Sequence, residues 1–258
     1  FLNFLPKKLF FLKGKNYTDH IQIYSNVIIL FYLLICSFLG ISIDIVSSIL
    51  VIIFLINLYF IFKENFYLTL FSKNNWLVIL FTTVFALNLA NNMELGWDAQ
   101  NYWIIKFLNF KEGMTFENLK FLARPEYPHF GPYVWAVYSN IFTDNYEYFG
   151  RVYFIYFFCL SLKYLLDISN LKLEQNLIAF LALVLIIYNN SLFNGYQEVF
   201  VFSNLIILSI YIYFFFHQKF TYANYTLIIV VSLFLFWIKN ESSIFALILL
   251  TSLLLFKN

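Results

Sequence analysis

Continuous apolar blocks, each about as long as a bilayer core is thick, follow one another along this chain with short polar connections between them. A helix needs roughly 17–25 apolar residues to cross the hydrocarbon layer. On that ruler the blocks predict eight spans, at about 23–41, 43–62, 75–91, 149–166, 175–190, 199–216, 223–238 and 242–256. The runs are unbroken instead of alternating, which excludes a porin-like barrel and predicts an all-α, polytopic transmembrane fold. Gly40 and Ser42 split the first two blocks into a tight hairpin with Asp44 at its tip. One interval departs from the pattern. Glu94–Tyr138 holds Pro125, Pro128 and Pro132, leaving one proline elsewhere, and three of the five tryptophans. A membrane protein puts such residues where water or substrate meets it, so candidate chemistry is sought there first.

Composition fixes the solvent. The 258 residues are 62% hydrophobic and 12% charged, with mean hydropathy +0.77, against roughly 45–50% apolar and about 25% charged for soluble domains. Most of the surface must therefore face lipid. A net charge of +2 makes no case for a nucleic-acid partner. Cys36 and Cys159 lie inside apolar runs and read as small hydrophobes, with neither a disulfide framework nor a metal site implied. The chain starts at Phe1 and stops just after an apolar run, which reads as a fragment truncated at its C-terminus. We expect a single membrane domain over 1–258, with a cytoplasmic segment at 1–22 and a large extracytoplasmic loop at 92–148 carrying short interfacial helices.

Orientation follows from Lys and Arg. With the N-terminus in the cytoplasm, the inner side receives Lys7, Lys8, Lys13, Lys15, Lys63, Lys73, Lys163, Lys172, Lys219 and Lys257. The outer side receives Lys106, Lys111, Lys120, Arg124, Arg151 and Lys239. This arrangement makes three polar sites co-facial: the loop around Asp98, the 189–198 connection, and Lys239-Asn240-Glu241.

Within the loop, Gly96-Trp97-Asp98-Ala99 leads into a short helical pattern. Helical spacing would stack Asp98, Tyr102 and Lys106 on one face, with Trp103, Ile104 and Phe107 as an apolar flank at the interface. Asp98 is either the N-cap of that helix or a chemical group. The prolines argue that Arg124–Pro132 is not helix but a stiff turn re-entering the membrane surface before Trp135. His129 has no partner at metal spacing and reads as structural. Arg124 suits phosphate oxygens or a lipid headgroup. Gly195 allows a close backbone approach, and Glu198 falls in a first helical turn, where the dipole favours a carboxylate. No phosphate loop, zinc spacing or Ser–His–Asp order is visible, and the broken-helix symmetry of many transporters is absent.

These pieces in this order resemble the polytopic GT-C glycosyltransferases, the group that includes protein O-mannosyltransferases and bacterial transferases decorating lipopolysaccharide or cell-wall glycans. The matching motifs are Gly96-Trp97-Asp98-Ala99 with Trp103 and Lys106, Tyr127-Pro128 with Pro132, Gly195-Tyr196-Gln197-Glu198, and Trp237-Ile238-Lys239-Asn240-Glu241. They span roughly residues 75–250. The resemblance implies a bacterial inner-membrane enzyme that transfers a sugar from a polyprenyl-phosphate donor to a glycan, lipid or protein acceptor on the outer face. It makes Asp98 the catalytic base and Tyr102, Lys106, Arg124, Glu198, Lys239 and Glu241 the substrate-binding set. The third motif often ends in Asp where this chain has Glu198. No cofactor is required, and a divalent cation is left open. Two competitors stand beside it: a non-catalytic or transport-type membrane protein, and an O-antigen polymerase or ligase. An exporter should carry charges deep in its spans, whereas here they gather at the outer ends.

Overall fold

The computed structural model describes residues 17–63, 75–122, 124–142, 147–168, 171–187, 193–217 and 222–255. Lys7, Lys8, Lys13, Lys15, Lys73, Asn189, Lys219 and Lys257 fall outside them. All regular structure among the described residues is helical. The chain runs α1 (Tyr17–Phe38), α2 (Ile43–Lys63), α3 (Asn75–Asn91), a π-helical turn (Ala99–Trp103) continuing into α4 (Ile104–Lys111), a 3-10 turn (Phe116–Phe121), and α5 (Phe130–Phe142). It then continues with α6 (Tyr148–Ile168), α7 (Leu173–Ile187), α8 (Glu198–His217), α9 (Tyr222–Ile238) and α10 (Asn240–Leu255).

Two helices are long and apolar enough to cross a membrane, α6 with 21 residues and α8 with 20, and six shorter apolar helices accompany them. α6 and α8 are also the centre of the bundle, with most of their apolar length buried inside it. α3, α5 and α7 pack on α6, and α9 packs on α8. The outer helices turn large apolar side chains away from the protein, among them Phe54 and Leu55 on α2, Leu87 on α3, Leu185 on α7 and Ile248 on α10.

The α1–α2 hairpin closes as its glycine suggests. Gly40 sits at φ +64, and the amides of Gly40 and Ile41 return to the carbonyls of Ser37 and Cys36 at 3.4 and 3.1 Å. This is the left-handed helix end that only glycine enters without strain. The hairpin then anchors α5. Tyr133 donates to the Ile41 carbonyl (3.4 Å), and Asn140 Nδ2 donates to Asp44 Oδ1 (2.9 Å) and Ser47 Oγ (2.8 Å). Both ends of α5 thus stay where α1 turns into α2.

α5 is the main departure from expectation. Phe130, Gly131 and Pro132 are its first turn, not the end of a proline-stiffened loop. A proline there costs nothing, because the first four amides of a helix have no intrahelical acceptor. Nor is α5 interfacial: residues 130–137 are all buried. Phe130 meets Phe200 and Phe234, Trp135 meets Phe107, and Tyr138 stacks on Tyr153 at 3.6 Å. The helix is a platform between the loop above and the spans below.

Where the platform meets α6, Arg151 is 1% exposed and every N–H finds an acceptor. Nε and Nη2 grip the Glu147 carboxylate at 2.8 and 2.5 Å. Nη2 also donates to the Met93 carbonyl (3.0 Å), and Nη1 to the carbonyls of Glu94 (3.2 Å) and Phe193 (3.3 Å). Glu147 in turn offers its own carbonyl to Trp135 Nε1 at 2.7 Å. Breaking a buried pair by deleting one partner costs roughly 3–5 kcal/mol. Arg151→Met is therefore expected to lower the unfolding midpoint of the detergent-solubilised protein strongly, with Arg151→Lys less damaging. A midpoint unchanged by Arg151→Met would show that the clamp is dispensable.

Candidate functional site

The π-helical turn decides how the loop presents its side chains. Asp98 itself has helical dihedrals (φ −65, ψ −35), and its carboxylate makes no capping bond. The N-cap role is therefore not the one it fills. Each residue of a π-turn advances less around the axis than in an α-helix. Side chains after Trp103 are consequently rotated relative to the uninterrupted pattern. Asp98 and Tyr102 remain partly exposed, whereas Lys106 is turned inward and completely buried. The three do not share an exposed face.

Two motifs distant in sequence lock directly onto each other. The Gly96 amide donates to the Asn194 carbonyl at 2.8 Å. A Cβ on Gly96 would lie 2.1 Å from the Tyr196 ring, and one on Gly195 would lie 2.8 Å from Leu95 and 3.0 Å from the Ala99 methyl. Glycine is needed at both positions because two loops touch backbone to side chain. This contact sets the segment that starts α8, and with it Glu198, beside Asp98's turn.

The α9–α10 connection brings the third segment. Lys239 Nζ forms a 2.5 Å ion pair with Glu198 Oε1, and the Ser242 hydroxyl bridges the carbonyls of Leu235 and Lys239 to hold the turn. Burial disfavours the Lys239 ammonium. The Glu198 hydrogen bond and the charges of Glu198, Glu241 and Asp98 outweigh it, so its pKa stands above the ordinary lysine value. Asp98, Trp103, Tyr127, Pro128, Lys239, Asn240 and Glu241 line one cavity of about 70 Å³. Its chemistry is that of carboxylates around a fixed ammonium, walled by two aromatic rings and a proline. Such a site can accept a proton, bind hydroxyls and offset one negative charge. Among the described residues no group of three His, Cys, Asp or Glu side chains is arranged to hold a metal ion.

Other candidates border the cavity. Lys106 donates to the Tyr127 carbonyl from beneath, so it supports the wall without entering it. Arg124, exposed and at φ +55, pairs with Glu126 at 3.4 Å and lies 6.0 Å over the Tyr127 ring, next to Tyr102. Tyr102 meets Tyr127 edge-on at 5.5 Å. His129 is sealed among Phe38, Phe110, Phe116 and Trp237, its Nε2 without a hydrogen-bond partner. Burial, with some help from the Lys106 charge, pushes its pKa down to about 3. It is a neutral packing group.

Sequence reasoning did not single out Arg151, Glu147 or Tyr196, the residues that hold these segments together. The Glu147–Arg151 spacing (i, i+4) was the available signal. Comparison with protein-family models, with curated proteins and with solved structures returned no match, so the site is interpreted from its own chemistry.

Burial drives the Lys106 pKa down to about 8 from 10.5, against a smaller opposing pull from Glu126. Between those values the unfolded chain keeps a proton that the folded protein releases, so stability rises with pH across that window and the gain is lost as pH falls through 8. Lys106→Met should abolish the rise. Unfolding midpoints of both proteins from pH 7 to 10.5 measure it, and parallel curves would contradict a depressed Lys106.

Proposed function

We propose that this protein is an integral membrane glycosyltransferase of GT-C type that uses a polyprenyl-phosphate sugar on the extracytoplasmic face. The observation that carries this reading is the cavity itself. Asp98 from the loop meets Lys239, Asn240 and Glu241 from the α9–α10 turn, with Glu198 bonded to Lys239 behind them. The order and spacing of the four motifs add the family resemblance. All three segments lie on the outer side in an eight-span topology with the N-terminus in the cytoplasm, and the outward-facing apolar side chains fit lipid around such a bundle. The proposed location is a bacterial inner membrane.

In the proposed reaction an acceptor hydroxyl oxygen attacks the anomeric carbon. The bond from that carbon to the phosphate oxygen breaks, and its electron pair leaves with the lipid phosphate. Asp98 takes the hydroxyl proton, the usual task of a carboxylate within hydrogen-bond reach. A phosphate leaves without an acid, so a single base suffices. Lys239 offsets the charge developing on the leaving phosphate, with exposed Arg124 on the approach. Glu198 aims Lys239, Glu241 holds hydroxyls, and Lys106 keeps Tyr127 and Pro128 in place.

Asp98→Asn should reduce transfer of labelled sugar from polyprenyl-phosphate donors by roughly 10²–10⁴-fold, the range for a lost general base, with the fold retained. Undiminished transfer would remove Asp98 from this role. Topology is tested separately with single cysteines replacing Asp98, Glu198 and Asn240. All three should react with a membrane-impermeant thiol reagent from the periplasmic side only, and labelling from opposite sides would defeat the co-facial arrangement.

A further inference from the structure

The cavity is too small for a whole substrate. Ligand sites generally measure roughly 300–1,000 Å³, and this one measures about 70 Å³. It admits the reacting group, and the remainder must rest on adjoining surface. That surface is a row of aromatic rings. Tyr127, in the cavity wall, stacks on Trp103 at 5.8 Å, meets Tyr102 at 5.5 Å, and Tyr102 meets Trp97 at 5.7 Å. Exposure grows along the row: Trp103 is 2% exposed, Tyr127 and Tyr102 are half-buried, and Trp97 is 64% exposed.

We propose that Tyr127, Tyr102 and Trp97 form a shelf that seats the non-reacting sugars of an oligosaccharide, so that the acceptor is a glycan. What reacts in the cavity rests on the transferase reading; what lies on the shelf rests on the shelf's own chemistry. Its rings are bordered by polar groups: the Arg124 guanidinium over Tyr127, the Glu126 carboxylate and the tyrosine hydroxyls. A hydrocarbon chain would leave those groups desolvated and unpaired. A sugar has both surfaces, an apolar C–H face to lie on a ring and a rim of hydroxyls to meet charged and phenolic edges. Tyrosine and tryptophan offer such contact at low cost in side-chain freedom. The outermost ring is also held in advance: Asn101 Nδ2 donates to the Trp97 carbonyl at 2.7 Å, and Gln100 Nε2 to the Leu95 carbonyl at 2.7 Å. A rigid shelf loses less on binding.

The test uses the full chain in lipid nanodiscs, applied to immobilised tri- and tetrasaccharides, the matching monosaccharides, and short serine- and threonine-rich peptides. At least one oligosaccharide should be retained with at least tenfold higher affinity than its monosaccharide. Trp97→Ala and Tyr102→Ala should each erase that difference. Phe121→Ala, which removes an exposed ring outside the row, should leave it intact. In transfer assays Trp97→Ala should raise the KM for a glycan acceptor at least tenfold more than the KM for the donor. Retention of peptides alone, of no oligosaccharide, or equally by Trp97→Ala and wild type would overturn the shelf. Glycan capture without sugar transfer from any donor would keep the shelf and remove the transferase. Transfer to a peptide without glycan capture would do the reverse.

Discussion

A guanidinium cannot lose its charge to escape burial, so a buried arginine commits its neighbours to supplying acceptors. Arg151 makes that demand at the point where three stretches of chain meet. Its acceptors are the Glu147 carboxylate and the carbonyls of Met93, Glu94 and Phe193. Met93 and Glu94 lead into the turn that carries Asp98, and Phe193 leads into the turn that ends at Glu198. Neither stretch is regular helix, and neither has backbone partners of its own to define its path. Both take their position from one side chain rooted in α6, the most enclosed helix of the bundle.

On this footing the outer end of the molecule is built in layers. α5 lies beneath, tied to the α1–α2 hairpin through Tyr133 and Asn140 and to α6 through Trp135. The loop rests on it through Phe107 and Trp135. Gly96 and Tyr196 then close the loop against the start of α8. The layers are joined mainly by aromatic rings and by hydrogen bonds to backbone carbonyls, a combination that fixes orientation as well as burying area. Cavity-lining groups from distant parts of the sequence hold a common geometry because each layer restricts the next.

Much of the helical plan was legible in the chain. The apolar blocks at 75–91, 199–216 and 223–238 reappear as α3, α8 and α9 within a residue or two, because a long apolar run signals its helix by composition alone. The meeting of Asp98 with Lys239 and Glu241 followed from counting charges on each side of a membrane. Three features were hidden for separate reasons. α5 sits among prolines, and Pro132 looks like a breaker until its place in a first turn is known. Lys106 obeys an α-helical spacing on paper, but the intervening π-turn sends it inward. Arg151 looked like one more outer positive charge, since nothing in a linear sequence tells a solvated arginine from one that carbonyls enclose.

The π-turn has a consequence for how this loop can change over time. Point substitutions within Ala99–Trp103 alter single contacts, but loss of one residue would let the segment relax to an ordinary α-helix. Everything from Ile104 to Lys111 would then turn about the axis together. Lys106 would leave the Tyr127 carbonyl, and the ring at the head of the shelf would lose its support. Drift by substitution is therefore tolerated here in a way that drift in length is not. The length of this one turn, more than the identity of its residues, is what descendants of this chain have to inherit.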